Sequence, residues 1–278
     1  MKLPLSRLLA LALLLAPGSA SAETYALGYD VYVGGVRLGR MSLETERQGD
    51  AYRVGVGAKP NDLINALVKW SYAAESSGTL GGPAGVTPQR FEARRSARGR
   101  DWTTGLDYGP GGAVTPRWDP APSEEDANAV PPDQRTGTID LLSASAVLSL
   151  AAEAQGGSCA ARVPVYDGRR RFDVVGVPAG TRRIGKSDYT VFEGEAWGCR
   201  VEIHPVAGFR EAKGKNDDFW TIAPDGKPRS FMLWLARPDA NGPVVPVRLE
   251  AKEVFYANIL GHLASVERRE GAPEQAAR

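Results

Sequence analysis

Large apolar side chains occupy every second position of residues 25–33, and Gly34-Gly35 follows at once. A period of two is typical of a β-strand with one buried face, and a Gly-Gly pair is typical of a two-residue hairpin turn. The apolar pattern of the return strand changes phase near Gly39, which predicts a β-bulge. The 32 glycines and 20 prolines favour short strands joined by turns. The chain is therefore predicted to be mainly β, either as a single antiparallel domain or as two sub-sheets that share a core.

Two short helices interrupt this pattern. The first is predicted at Leu63–Trp70, with Asn61 or Asp62 as its N-cap. Leu63, Leu67 and Trp70 share one face of that helix, so it could cover one side of a curved sheet.

The second helix is predicted at Leu141–Ala154, after a cap at Thr138 or Asp140. Between the two β-rich halves, residues 109–132 combine several prolines with a Gly-Pro-Gly-Gly run and three consecutive acids. That composition predicts a long exposed loop.

The N-terminus has the pattern of a secretory signal peptide. Lys2 and Arg7 precede an apolar run at Leu8–Ala16, and small residues follow at Ala20-Ser21-Ala22. A nine-residue run is much shorter than the roughly 20 residues that span a bilayer. We therefore expect cleavage after Ala22, a periplasmic mature chain without a transmembrane span, a β domain at 23–270 and a flexible tail at 271–278.

Charge and cysteine content limit the classes of partner. The 34 basic and 33 acidic residues nearly balance, so bulk charge predicts no binding to nucleic acid or to an anionic membrane surface. In an exported chain, Cys159 and Cys199 are expected to form a disulfide. The alternatives are a metal pair or a reactive thiol, but a zinc site needs further ligands, and His204 and His262 are the only histidines. No metal and no cofactor are predicted.

Sequence motifs for catalysis are absent: there is no nucleophile elbow, phosphate loop, zinc-protease helix or dinucleotide fingerprint. Ser143 and Ser145 lie on a predicted helix and would each need a nearby histidine to act as nucleophiles. His204 and His262 could act as general bases, yet a lone histidine without a partner motif is more often structural. No catalytic residue is predicted.

Two stretches contain candidate ligand-binding residues. Asp167–Phe172 places Arg169 and Arg171 on one strand face, where two guanidinium groups could hold an anion; pairing with local acids such as Asp173 and Glu202 is the alternative.

Residues 231–235 are apolar on both faces, so this strand is either packed in the core or lines a lipid-sized cleft. The candidate ligand-binding residues are Arg169, Arg171, Trp234, Met232 and Trp70.

Several stretches, in order, resemble the DUF3108 family of exported bacterial proteins of unknown function. They are the Tyr29–Gly39 hairpin, Gly137–Ala144, Cys159 with Val165–Phe172, and Trp234–Ala236 with Val245–Arg248. Leu141 stands where the family pattern has proline. The resemblance implies a curved antiparallel sheet or half-barrel with two short helices, similar in outline to the half-barrel lipoprotein carriers, and it brings no catalytic residues.

These features favour a non-enzymatic periplasmic protein that binds or carries an apolar or lipid-like envelope ligand. An envelope assembly or structural factor that acts through protein contacts is the alternative, because long loops such as 109–132 are often functional. A hydrolase that acts on envelope polymers is a third, less favoured hypothesis.

Overall fold

The computed structural model describes residues 22–211, 221–222, 228–254 and 257–270. The tail at 271–278, and the predicted signal peptide apart from Ala22, lie outside these ranges. The strands in chain order are β1 Glu23–Val33, β2 Val36–Gln48, β3 Ala51–Pro60, β4 Trp70–Leu80, β5 Val86–Ala97, β6 Arg100–Tyr108, β7 Val114–Asp119, β8 Ala161–Tyr166, β9 Arg171–Ile184, β10 Gly194–Ala207, β11 Arg210–Glu211, β12 Thr221–Ile222, β13 Arg229–Ala236, β14 Val245–Val254 and β15 Ala257–Glu270.

Thirteen of these strands form one antiparallel sheet, which confirms the predicted fold class. The strand order is β7-β6-β5-β4-β3-β2-β1-β15-β14-β13-β10-β9-β8, and β11 pairs separately with β12. The first strand, β1, therefore lies in the middle of the sheet, between β2 and the last strand, β15. The Gly34-Gly35 turn is confirmed, and so is the bulge, because the pairing of β1 with β2 shifts by one residue beside Gly39.

The described residues contain four helices where two were predicted. They are α1 Asp62–Val68, α2 Glu124–Ala127, α3 Pro132–Arg135 and α4 Leu141–Ala154, with a 3₁₀ turn at Pro110–Gly112.

The prediction of one long exposed loop at residues 109–132 is wrong. This stretch contains the 3₁₀ turn, all of β7 and α2, and its Val130 is almost fully buried. Pro116 is compatible with β7 because this strand is an edge of the sheet. On an edge strand, the N–H that proline lacks can be one that faces away from the neighbouring strand, so no hydrogen bond of the sheet is lost.

The sheet curves until its two edges, β7 and β8, come close together. The indole Nε1–H of Trp118 on β7 donates to the carbonyl of Gly168, next to β8, at 3.0 Å. Gly168 has a φ of +94°, and a Cβ there would lie 2.4 Å from Cγ2 of Thr104, so only glycine fits this approach. Backbone bonds from Gly137 to Gly112 and from Ile139 to Pro164 link residues 136–140 to both edges.

Helix α4 packs against the concave face of this curved sheet. Leu142, Val147 and Leu148 of α4 belong to the main core cluster, together with residues from strands near both edges. Gly176 on β9 allows close packing, because a Cβ there would lie 2.7 Å from Cδ2 of Leu148 and 2.1 Å from the Cys159 carbonyl oxygen. The helix therefore holds the two halves of the sheet together.

A second cluster fills the part of the sheet where β14 and β15 separate. Their pairing stops at Arg248 and His262. Phe192, from the connection between β9 and β10, packs there with Leu27 and Leu263, and the Val191 N–H donates to the Leu263 carbonyl at 2.9 Å. The connection thus closes the gap that the diverging strands leave.

Candidate functional site

A buried polar network anchors the N-terminus of α4 on the sheet. Asp140 is the N-cap: its Oδ1 accepts the backbone N–H of Ser143 at 2.9 Å. Its Oδ2 accepts the hydroxyls of Ser143 at 2.6 Å, Ser76 at 2.9 Å and Tyr108 at 3.3 Å. The hydroxyl oxygen of Tyr52 lies 2.7 Å from Oγ of Ser143. The helix start is thereby linked to β3, β4 and β6.

Burial shapes the acid–base properties of this network. Asp140, Ser143 and Ser76 have no exposed surface. Burial raises the pKa of Asp140, although the hydrogen bonds from Ser143 and Ser76 oppose that change. Burial also raises the pKa values of Tyr52 and Tyr108. The phenols are thus kept neutral, and the network serves as a satisfied polar anchor within an apolar core.

A cavity of about 200 Å³ lies beside this anchor, between α4 and the concave face of the sheet. Tyr52 connects the two, since its ring lines the cavity and its hydroxyl reaches Ser143. Most of the remaining lining is apolar and comes from β1 to β4, α4, β13 and the start of β14. The apolar lining residues are Tyr25, Leu43, Val54, Leu80, Ala146, Leu148, Leu150, Leu233, Leu235, Pro243, Val244, Val245 and Pro246.

The mouth of the cavity carries acids and arginines in equal number. The acids are Glu23, Glu46 and Glu153, and the arginines are Arg47, Arg53 and Arg237. Arg237 pairs with Glu153 at 2.7 Å and also donates to the Gly242 carbonyl, while Arg53 lies 3.9 Å from Glu46. Burial, with the nearby charges of Asp239 and Glu23, raises the pKa of Tyr25 to about 12. The mouth therefore has no strong bias toward either sign of charge.

The model of one protein family matches residues 28–258, which is most of the chain. The chain belongs to the DUF3108 family. The description of that family is "protein of unknown function". No curated protein matches the chain significantly.

Two of the motifs that resemble the DUF3108 pattern have clear structural roles. The Ile139-Asp140 pair joins the edge strand β8 to the cap of α4, because Ile139 bridges to Val165 and Asp140 accepts the Ser143 N–H. The Asp167–Phe172 motif forms the turn between β8 and β9, in which Oδ1 of Asp167 accepts the backbone N–H groups of Arg169 and Arg170.

The turn changes the expected placement of the arginines. Because β9 begins only at Arg171, Arg169 lies in the turn, and the strand alternation assumed from the sequence does not apply to it. Arg169 pairs with Asp126 of α2 at 2.6 Å, and Arg171 pairs with Asp173 at 2.6 Å. Neither arginine lines the cavity.

The apolar candidates also lie outside the cavity. Leu233 and Leu235 of β13 line it, whereas Met232 and Trp234 do not. Because side chains alternate along a strand, Met232 lies on the face opposite Leu233. The guanidinium of Arg182 instead lies over the Trp234 ring, 5.4 Å from its centre.

Helix α1 does not cover the concave face, contrary to the sequence-based prediction. Leu63 and Leu67 are 76% and 81% exposed. Lys69 ends the helix with a left-handed backbone conformation, φ 44°, and Trp70 is already the first residue of β4. The predicted stripe of Leu63, Leu67 and Trp70 is therefore split between a helix and a strand.

Both histidines lie on strands and away from the cavity lining. Nε2 of His204 is 3.0 Å from a carboxylate oxygen of Glu202 on the same strand. His262 makes edge contact with Tyr32, and burial, helped by Arg248, lowers its pKa. No cluster of metal-ligating side chains occurs in the part of the chain that the structure describes.

The predicted disulfide is confirmed. The sulfurs of Cys159 and Cys199 are bonded, and both residues are fully buried in the main core. Within the described ranges, no helix is both long enough and apolar enough to cross a bilayer.

Sequence reasoning missed the helix residues that line the cavity. Ser145 and Ser149 are one turn apart on α4 and both lie at the cavity. Two serines four positions apart, on a helix otherwise rich in Leu and Ala, are the feature of the sequence that could have indicated a polar stripe on α4. Only the structure shows that this stripe faces Leu233 and Leu235.

Proposed function

We propose that this chain is a non-enzymatic binding protein whose cavity beneath α4 holds the apolar part of a lipid-like envelope ligand. The observation that carries the proposal is the cavity itself, which is concave, apolar and bordered by polar groups. These are the general properties of small-molecule sites in proteins.

The size of the cavity limits the ligand. A volume of about 200 Å³ is smaller than typical drug-sized sites. The cavity thus suits one segment of a single acyl chain, or a small apolar molecule, better than a lipid with several chains.

The mouth of the cavity limits the polar part of the ligand. Three acids and three arginines border it, and Arg237 is already paired with Glu153. An anionic group would meet carboxylates as well as guanidinium groups. The arrangement therefore favours a neutral or zwitterionic polar group at the mouth.

The remaining hypotheses have less support. Ser143 directs its hydroxyl to Asp140, and neither histidine lines the cavity, so a serine hydrolase lacks its base there. The assembly-factor hypothesis rested on an exposed loop at 109–132, much of which is instead folded.

We further propose that residues 1–22 direct export and that the mature chain works in the periplasm. The pattern of charge, apolar run and small residues supports the signal peptide. A buried disulfide suits an oxidising compartment. Fractionation of cells, with N-terminal sequencing of the mature protein, tests this assignment, and an intact Met1 in the cytoplasmic fraction would refute it.

The binding proposal is tested by filling the cavity. Ala146→Leu places three extra carbon atoms in the lining of the cavity. A dansyl-labelled single-chain fatty acid is titrated into the purified protein, and unlabelled single-chain lipids then compete with it. We expect the variant to bind the probe roughly tenfold more weakly or worse, because each buried methylene contributes about 0.8 kcal/mol.

Ala151→Leu is the matched control. Ala151 lies on the same helix and is partly buried, but it does not line the cavity. We expect this variant to bind the probe like the parent. Equal affinities for the parent and both variants, or no saturable binding by the parent, would contradict the proposal.

A further inference from the structure

Helix α1 presents apolar side chains to solvent. Leu63 and Leu67 lie one turn apart and are 76% and 81% exposed, whereas Ile64 is partly buried. Soluble surfaces expose single apolar residues often, but grouped ones mark a binding surface. These leucines are therefore a feature that the cavity does not explain.

A third exposed apolar residue lies at the start of the strand that the cap of α1 contacts. Val36, at the start of β2, is 61% exposed. The cap of α1 fixes the helix next to this strand, because Asn61 donates its backbone N–H to the Leu38 carbonyl at 2.8 Å and its side-chain Nδ2–H to the Arg37 carbonyl at 2.8 Å. The tip of the β1–β2 hairpin and α1 thus form one surface.

Basic side chains surround this apolar group. Lys59 and Lys69 flank α1, and the Arg98 N–H donates to the Lys69 carbonyl at 3.2 Å, which brings the β5–β6 turn with Arg98 and Arg100 alongside. All four of these side chains are exposed. Among the described residues, none of the four forms an ion pair with a carboxylate, in contrast to Arg37, which pairs with Asp30 at 3.1 Å.

We propose that this surface, formed by Val36, Leu63, Leu67, Lys59, Lys69, Arg98 and Arg100 and called the tip surface below, docks onto an anionic lipid bilayer. The leucines enter the headgroup region, and the ammonium and guanidinium groups contact lipid phosphates. With seven residues, α1 lies on the membrane and does not span it.

The positive charge argues against a second copy of the chain as the occupant. In a two-fold symmetric contact, each tip surface would face the same surface of the other copy. The four basic groups of each would then be brought against one another, and the exposed acids Asp62 and Asp101 beside them are too few to balance this charge. An anionic bilayer provides both the phosphates and the apolar layer that the tip surface needs. This inference goes beyond ligand binding in the cavity and does not depend on it.

Vesicle flotation tests the proposal with the full mature chain. Vesicles of phosphatidylcholine alone are compared with vesicles that contain about one third phosphatidylglycerol, at low and high salt. We expect the protein to float with the anionic vesicles at low salt, to bind them at least tenfold less at high salt, and to remain unbound with neutral vesicles.

Two variants separate the apolar from the charged contribution. The first is Leu63→Gln with Leu67→Gln, and the second is Lys69→Glu with Arg98→Glu. Each is expected to lose at least tenfold in vesicle affinity while keeping the melting temperature of the parent, because all four side chains are exposed.

Matched controls change similar residues elsewhere. Val206→Gln removes an exposed aliphatic side chain from β10, which lies far from β3 in the sheet order. Lys186→Glu reverses an exposed charge between β9 and β10. Both are expected to float like the parent. Unchanged flotation of both tip variants, absence of flotation by the parent, or a dimer that the leucine variant abolishes would overturn the proposal.

Discussion

At the scale of single residues, Asp140 combines complete burial with a full set of hydrogen-bond donors, since four donors point at its two oxygens. Burial nevertheless raises its pKa, so the folded state keeps a proton on this carboxyl over a pH range in which the unfolded chain has lost it. The residue thus joins α4 to the sheet and also makes stability depend on pH.

This linkage predicts how Asp140→Asn changes the pH profile. Below about pH 4 the carboxyl is protonated in both states, and as the pH rises toward the raised folded pKa, ionisation favours the unfolded chain. The free energy of unfolding of the parent should therefore fall over that range. The amide side chain of the variant does not titrate, so urea unfolding between about pH 4 and pH 8 is expected to give a flatter profile.

A surface carboxyl provides the control for this measurement. Asp133→Asn removes an exposed acid from α3 and is expected to leave the slope of the parent unchanged. Parallel profiles for the parent and the Asp140 variant would show that the buried carboxyl does not set the pH dependence.

At the scale of secondary-structure elements, the fold depends on how closely α4 approaches the sheet. Gly176 of β9 lies at this contact, since a Cβ there would lie 2.7 Å from Cδ2 of Leu148 on α4. The same Cβ would lie 2.1 Å from the carbonyl oxygen of Cys159, a backbone atom that cannot rotate away. Gly176→Ala is therefore expected to lower the free energy of unfolding by about 2 kcal/mol or more, as overpacking does in other cores. Denaturant unfolding measures this loss.

Gly185→Ala is the matched substitution. Gly185 lies just beyond the end of the same strand, and a Cβ there would meet nothing within 4 Å. We expect this variant to stay within about 0.5 kcal/mol of the parent. If both glycine variants were equally stable, Leu148 of α4 and the backbone at Cys159 would both have to move away from β9 without cost, which would contradict close packing at Gly176.

At the scale of the whole molecule, the sequence predicts those parts of the fold that depend on residues close to one another along the chain. The Gly34-Gly35 hairpin and the capped helix α4 depend on residues close in sequence, and the structure confirms both. The edge strand β7 was missed because Pro116 interrupts the local strand pattern. Only the position of β7 at the margin of the sheet makes that proline acceptable.

The site was less predictable because it depends on which face of each strand becomes concave. Residues 231–235 are apolar on both faces, so the sequence does not distinguish Leu233 from Met232. Curvature of the whole sheet decides that Leu233 lines the cavity. Arg169 likewise forms an ion pair with Asp126, which is distant in the sequence, and no local pattern predicts that pairing.

The disulfide acts at the scale of the whole molecule because it ties the segment before β8 to β10, two strands away in the sheet order. The bonded cysteines are 40 positions apart. Closing a loop of that length stabilises a fold by about 4 kcal/mol in the chain-entropy model. Reductant is therefore expected to lower the urea midpoint of the parent, whereas the double variant Cys159→Ala/Cys199→Ala should already unfold at that lower midpoint and not respond. An identical midpoint for the parent with and without reductant would mean that core packing around α4, and not the covalent link, holds β8 to β10.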